Sequence, residues 1–286
     1  MDRIAVIDIG SNSVRLMMSL SGKTLYKKVM ITRLSQNMRE DGSLSFESAE
    51  RTASAVLRFY EDAKADGADK IYAFATAACR NAKNGKEFAK SVYDRCGLEI
   101  DIVDGETEAQ IGFLGATGGR DGGVIDIGGA STEVMVVSNG NTYAKSVNVG
   151  VVKLYEWANN DKAKTEEIVD KKILEYGKIP SGEFYAIGGT ATSLAAVMQS
   201  LCPYDPEKVH GYRLNLTDLE NLENELYALT VEEKRNLKGL QKERAEVIAG
   251  GATLLIRLMK KLGVKAVTVS ESDNMEGYLL KVRENI

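Results

Sequence analysis

VIDIGGASTEVMVV, residues 124–137, decides how the chain is built, because an earlier version of it begins at residue 6. VIDIGSNSVRLM (6–17) and VIDIGGASTEVM (124–135) agree at seven of twelve positions when shifted by 118. An apolar strand ending in Asp, a Gly/Ser turn and a second apolar strand form a hairpin whose backbone N–H groups can turn toward an anion. Two copies predict two such hairpins facing one ligand.

At 286 residues the chain is long for one compact core, and the repeat offset predicts two domains of similar size. An apolar content of 44% is enough to fill both. Lys and Arg number 37 against 41 Asp and Glu, with a pI near 5.4, so no global field draws in nucleic acid or anionic lipid. Any polyanion must be held by a local site. Cys79, Cys96 and Cys202 are odd in number and form no CxxC pair, which predicts free, mostly buried thiols in a reducing cytoplasm. The chain runs into a strand at residues 3–9 with no room for a signal segment, and the longest apolar run, 247–259, is too short to span a bilayer. A cytoplasmic protein with no membrane partner is expected.

Outward from the hairpins, residues 4–9, 14–20 and 24–31 predict three consecutive antiparallel strands. Ser45 caps a predicted helix to about residue 64, and 72–75 returns as a strand. ATAACRNAKNG (75–85) follows it, with small residues that let a ligand approach the backbone and Arg80 as its strong cation. A helix at 86–96 and a strand at 98–103 lead into DGETEAQIGFLG (104–115), a helix with an acidic first turn. Glu106 and Glu108 are, on that ground alone, complements to the helix dipole. TGGRDGG (117–123) is the predicted domain junction, dividing the chain into 1–118 and 119–286. Beyond it the pattern restarts, with a strand at 142–149, helices at 151–157 and 165–176, and a strand at 183–187. Gly188, Gly189 and Thr190 then open a helix to residue 199, an arrangement that suits either an anion cradle or a plain tight turn. Residues 201–211 read as loop, 217–228 and 243–262 as helices, 266–269 as a buried strand, and 273–284 as a last helix that packs back on the first domain.

His210 is the one histidine, so neither a His-based metal cluster nor a Ser-His-Asp triad can be built. Carboxylates and backbone amides must carry any chemistry, which favours phosphoryl transfer: a hard cation, donors for the phosphate oxygens and a group to orient water. Asp8 and Asp126, each ending a buried strand, are placed to hold Mg²⁺ directly or through its waters, with phosphates on the glycine turns behind them. Turn-capping is the ordinary use of Asp at such a position, but it does not explain why the same strand, Gly and Ser recur around both. At the aligned position beyond the turn stand Arg15 and Glu133, which divides roles between phosphate and metal or water, unless both are solvated strand residues.

IDIGSNSVRL (7–16), ATAACRNAKNG (75–85), DGETEA (104–109), VIDIGGASTE (124–133) and IGGTATSLAA (187–196) together resemble the exopolyphosphatase and guanosine pentaphosphate phosphatase family. The resemblance continues through HGYRLNLTDLENL (210–222), KERAEVIAGGATLL (242–255) and EGYLL (276–280). It implies two duplicated α/β domains of the actin-like (ribonuclease H-like) type, the architecture of the actin and sugar-kinase superfamily, with the site in the interdomain cleft. It also implies Mg²⁺-dependent hydrolysis of a terminal phosphoanhydride. Carried over by position, Glu108 is the general base, which reverses its reading as a dipole complement. Asp126 and Glu133 match the acidic pair of the second hairpin, one for metal and one for metal or catalytic water. Asp8, Ser11, Asn12, Ser13, Arg15 and Arg80 match phosphate-contacting positions; the turns themselves add Gly128, Gly129, Ala130, Ser131, Gly188, Gly189 and Thr190 as candidate phosphate-binding residues, and Asp8 keeps its strand-end reading as a metal residue.

Three departures stand out, and the two that alter cations weaken the grip on a long polyanion. Ala130 replaces a third glycine, Lys153 stands where an arginine is usual, and Met275 occupies the position of an arginine before EG. With a low pI and fewer cations, short polyphosphate or guanosine pentaphosphate is the expected substrate, unless a homodimer extends the channel. A kinase of the same superfamily and a non-catalytic polyphosphate or alarmone sensor are the alternatives. DGETEA speaks against the kinase, in which it has no evident role.

Overall fold

RIAVIDI is buried along almost its whole length, as a central strand covered on both faces must be. In the computed structural model, which describes residues 2–284, it is β1 (Arg3–Ile9). There follow β2 (Ser13–Leu20), β3 (Lys23–Ile31), α1 (Phe46–Ala65), β4 (Lys70–Ala75), α2 (Ala77–Asn81), α3 (Gly85–Cys96), β5 (Ile100–Ile102) and α4 (Gly105–Thr117). The second half opens with β6 (Gly122–Ile127), β7 (Thr132–Ser138), β8 (Asn141–Val147), α5 (Val151–Ala158), α6 (Lys162–Lys172), β9 (Phe184–Ile187) and α7 (Gly188–Met198). It continues through α8 (Pro206–Val209), β10 (Arg213–Asn215), α9 (Leu216–Ala228), α10 (Val231–Lys234), α11 (Ile248–Leu262), β11 (Ala266–Val269) and α12 (Asn274–Glu284).

The duplication read from residues 6–17 and 124–135 extends to topology. The first sheet has the order β3-β2-β1-β4-β5 and the second β8-β7-β6-β9-β11-β10. In both, the first two pairings are antiparallel and the next two parallel, with β10 added at one edge of the second. Register is matched as well: Asp8 stands opposite Arg15 and Asp126 opposite Glu133. A shift of one residue would move every apolar side chain of these strands to the wrong face, so the core fixes which polar residues end up paired.

Each sheet has its own core, and two helices cross between them. Val56, Phe59 and Val92 pack on the first sheet, and Leu194, Leu254 and Leu258 on the second. α4 follows the last strand of the first sheet yet lies on the second, where Ala109 and Phe113 meet Val124, Met135 and Ile187. α12 makes the reverse journey: Met275, Tyr278 and Leu279 join Ile4, Val6, Met17 and Phe74 against the first sheet, with Tyr278 stacked on Phe74 at 4.6 Å. The two helices touch backbone to backbone. A Cβ on Gly277 would stand 1.6 Å from Ile111 O, and one on Gly115 1.9 Å from Asp273 O.

Some elements differ from expectation. The helix predicted over 243–262 begins at Ile248, because Arg244, Ala245 and Val247 donate to carbonyls three residues back and form tighter turns. The predicted loop at 201–211 contains α8, while β10 and α10 are too short to carry a periodic signal. All three cysteines are free, but only Cys79 is buried and Cys202 is exposed, since it sits in that loop and not in a core. His210 lies at the surface and accepts from Glu271 N through Nδ1 at 3.2 Å. Among the described residues, no helix is long and apolar enough to cross a membrane.

Candidate active site

The two hairpin turns close in the same way, with Gly10 N donating to Ser13 O at 2.9 Å and Gly128 N to Ser131 O at 3.0 Å. They meet across the cleft. A Cβ on Gly129 would lie 3.0 Å from Asn12 N, so this approach is tight for any residue but glycine. Between them is a cavity of about 70 Å³, lined by Asp8, Ser11, Asn12, Ser13 and Arg15 from the first hairpin and Asp126, Gly128, Gly129 and Ser131 from the second. Gly188, Gly189 and Thr190 close another side as the N-terminus of α7, whose leading N–H groups have no intrahelical acceptor. Gly188 has φ +78°, and a Cβ there would stand 2.6 Å from Asp126 Oδ1. Thr190 Oγ1 donates to Ile127 O at 2.9 Å and ties the helix to the second hairpin.

Glu108 reaches the cavity from the first turn of α4, whose N-cap Asp104 accepts from Thr107 N at 2.7 Å. Its Oε2 accepts from Arg80 Nη1 at 2.6 Å, and the same nitrogen donates to Val103 O at 3.0 Å. Arg80 therefore fixes Glu108 and is not among the residues lining the cavity. Ala130 and Glu133 are likewise set back. Ala130 is buried behind its turn, and Glu133 Oε1 accepts from Ser146 Oγ at 2.6 Å. Lys153 is half-buried, with its pKa lowered mainly by burial, and Met275 is wholly in the core.

Three contributors were not visible in the hairpin pattern. Arg244, buried beside Gly189, lines the cavity and is bonded through Nε to Gln241 Oε1 at 3.0 Å. Burial, with Arg15 nearby, pushes its pKa down to about 10. Asn274, the first residue of α12, donates from Nδ2 to Asp126 Oδ2 at 2.8 Å, and Asp273 accepts from Arg15. The signal for Arg244 lay inside KERAEV; for the other two, position next to Met275 was the only hint.

The site gathers more negative charge than it neutralises. Burial is the first cause that raises the pKa of Asp8, Glu108, Asp126 and Glu133. Arg80 offsets part of this at Glu108, which ends at about 7; Arg15 and Asn274 do so at Asp126, which ends at about 6. Glu133 is pushed well above the usual carboxylate range by burial and by its neighbours Glu108 and Asp126. Arg15 donates to Asp8 Oδ2 at 2.9 Å (Nε) and 2.5 Å (Nη2), and burial opposes its charge, but Asp273 and Asp8 hold it protonated. The hairpins thus differ: one contains its own counter-charge across the ladder, and the other pairs two carboxylates.

Residues 6–285 match the Ppx/GppA phosphatase family. The chain is 30% identical over 311 residues to a bifunctional 3-dehydroquinate synthase/phosphatase of Fusobacterium nucleatum, an overlap of 98% of this chain but 46% of that protein. It is 28% identical to Exopolyphosphatase 2 of Mycobacterium tuberculosis, covering 98% of both. The crystal structure of the Aquifex aeolicus Ppx/GppA family member is similar with a TM-score of 0.81 at 27% identity, over 100% of this chain and 99% of that one. With its paired sheets, facing hairpins and a match that runs almost end to end, the chain belongs to the Ppx/GppA phosphatase family and has its actin-like two-domain fold.

Proposed function

We propose that the chain is a phosphoanhydride hydrolase that releases terminal orthophosphate from short inorganic polyphosphate or from guanosine pentaphosphate. The observation that carries this reading is Glu108: a buried carboxylate with a pKa of about 7, held by Arg80 at the edge of a cavity framed by two anion-binding turns. The terminal phosphoryl group lies between the turns, with Ser11, Asn12, Ser13, Ser131 and the α7 amides as donors to its oxygens. Glu108 takes a proton from water as the water oxygen bonds to phosphorus, and the bridging P–O bond breaks with its electron pair going to the shortened chain. A base with a pKa near 7 suits this role, since it is substantially ionised at neutral pH yet still basic enough to accept the proton.

The residues present fit Mg²⁺. Asp8 Oδ1, Glu133 Oε2 and Asn274 Oδ1 are buried acceptors with no hydrogen-bond partner among the described residues, and the raised carboxylates call for a cation. Among the described residues no three candidate ligands are gathered tightly enough to hold an ion alone. Mg²⁺ keeps several waters and takes one or two carboxylates with the substrate's phosphate oxygens, so it does not call for such a cluster. Asp8 and Asp126 would hold it at the cavity wall, with Glu133 behind Asp126. When bound, it supplies neutralisation of charge building on the phosphate oxygens.

A pH effect follows that is independent of turnover. Ordinary values for Glu108 and Asp126 are 4.5 and 3.8, against about 7 and about 6 when folded. Their raised values contribute stability that is complete below pH 4 and is lost as pH rises through 6 and 7. Metal-free protein is expected to melt lower at pH 8 than at pH 5.5, and added Mg²⁺ to restore more stability at pH 8. Calorimetric melting checks this, and a metal-free Tm that is flat or rising with pH would contradict the charge crowding. Substrate scope is tested by phosphate release, with and without Mg²⁺, from tripolyphosphate, long-chain polyphosphate and guanosine pentaphosphate. The expected result is Mg²⁺-dependent release, fastest from short chains or the nucleotide; best activity on the longest polymer would overturn the preference, and binding without release from any of them would overturn the hydrolase reading.

A further inference from the structure

Beside the site lies a second cavity of about 280 Å³, and the two share Arg15, Gly188, Gly189 and Arg244 as a common wall. A phosphate chain with its end between the hairpin turns would have that wall as a neighbour. The second cavity is lined by Arg15, Lys27, Lys28 and Arg244, a set that attracts a polyanion, but also by Glu271 and Asp273. Glu271 is taken up by Tyr204, whose hydroxyl donates to it. Asp273 is different, because it is buried and its Oδ2 accepts from Arg15 Nη1. Asp8 holds the Nε and Nη2 side of the guanidinium, so between them the two carboxylates engage all three nitrogens of the fork that would otherwise grip phosphate bidentately. Lys27 stands 3.8 Å from the other oxygen of Asp273 and is itself engaged by Glu276 at 2.8 Å.

We propose that Asp273 is a specificity-determining residue: it acts as an internal anion on Arg15 and disfavours substrates that carry further phosphates into the second cavity. The inference rests on the hydrolase reading for its choice of phosphate ligands, and it supplies a residue-level cause for the short-chain preference. A substrate that ends within a few phosphates leaves the Arg15–Asp273 pair in place. A longer one brings each added negative charge against a fixed carboxylate and must either displace it or lie beside it, both unfavourable in a partly dry cleft.

Substitution can isolate the charge, since Asp273 also begins α12, accepting from Met275 N at 3.1 Å while Glu276 Oε2 accepts from Asp273 N at 3.0 Å. Asn and Ser preserve such a cap. Binding of tripolyphosphate and long-chain polyphosphate is measured by titration calorimetry on the full chain, wild type, Asp273→Asn and Asp273→Ser, with circular dichroism to verify folding. The ratio of long-chain to short-chain affinity is expected to rise about tenfold in both variants. An unchanged ratio in a folded variant overturns the proposal. Should neither variant fold, the wild type decides: affinity that levels off beyond a few phosphates supports the proposal, and affinity that climbs with each added phosphate overturns it. Because the readout is binding, a wild type that binds these ligands but releases no phosphate would sink the hydrolase reading and leave this test intact.

Discussion

Glu108→Gln is expected to lower turnover by about 10²–10⁴-fold, the span typical of a lost general base, while leaving substrate affinity nearly intact. Gln matches Glu in size, and its carbonyl oxygen can still accept the Arg80 hydrogen bond that fixes the side chain at 2.6 Å. What it lacks is a site for the water proton. Phosphate release under single-turnover conditions, set beside calorimetric binding of the same substrate, separates the two effects. Normal hydrolysis by the variant would remove Glu108 from the mechanism. The wild-type rate should also fall as pH drops through about 7, where Glu108 takes up a proton.

Gly277→Ala is expected to destabilise the protein by about 3 kcal/mol or more, at or beyond the upper end of ordinary overpacking. The added methyl would stand 1.6 Å from Ile111 O, a backbone atom within α4 that cannot rotate aside, so the two helices must separate. Activity should fall with stability, because α12 begins with Asn274, which bonds to Asp126. Leu280→Ala on the same helix is the control. That side chain is 43% exposed, and surface changes of this kind shift stability by only about 0.5 kcal/mol. Thermal melts of the two variants side by side check the contrast, and equal melting points would show that α4 and α12 tolerate separation.

Most of the fold could be read because its information is local. Apolar runs ending in Asp, repeated at a fixed shift, specify both hairpins, and the sheet orders follow from repeating one supersecondary pattern. Ser45 accepting from Ser48 N and Asp104 accepting from Thr107 N are caps visible as single letters. The candidate site was legible to the extent that the hairpin and helix-start residues Asp8, Asn12, Asp126 and Gly188 all line one cavity. It was less so where side chains arrive from afar. Nothing in the residues around Asp273 says that it meets Arg15, and Arg244 reads as one more charge on a helix until the backbone tightens before Ile248 and turns it inward. The setback of Arg80 behind Glu108 is similarly a tertiary fact, because only the packing of α4 decides which of them faces the cavity.

The crossing of α4 and α12 bears on how this molecule comes to be active at all. Arg15 and Asp273 are 258 residues apart in sequence, and Asp126 and Asn274 are 148 apart. Contacts of such separation carry a loop-closure cost that slows their formation. A chain whose two sheets are each assembled still lacks the arrangement at Asp126 and Arg15 until α12 docks against α4 and the first sheet. During refolding, phosphate release is therefore expected to recover later than secondary structure, because the groups around Asp126 and Arg15 come together only when α12 docks.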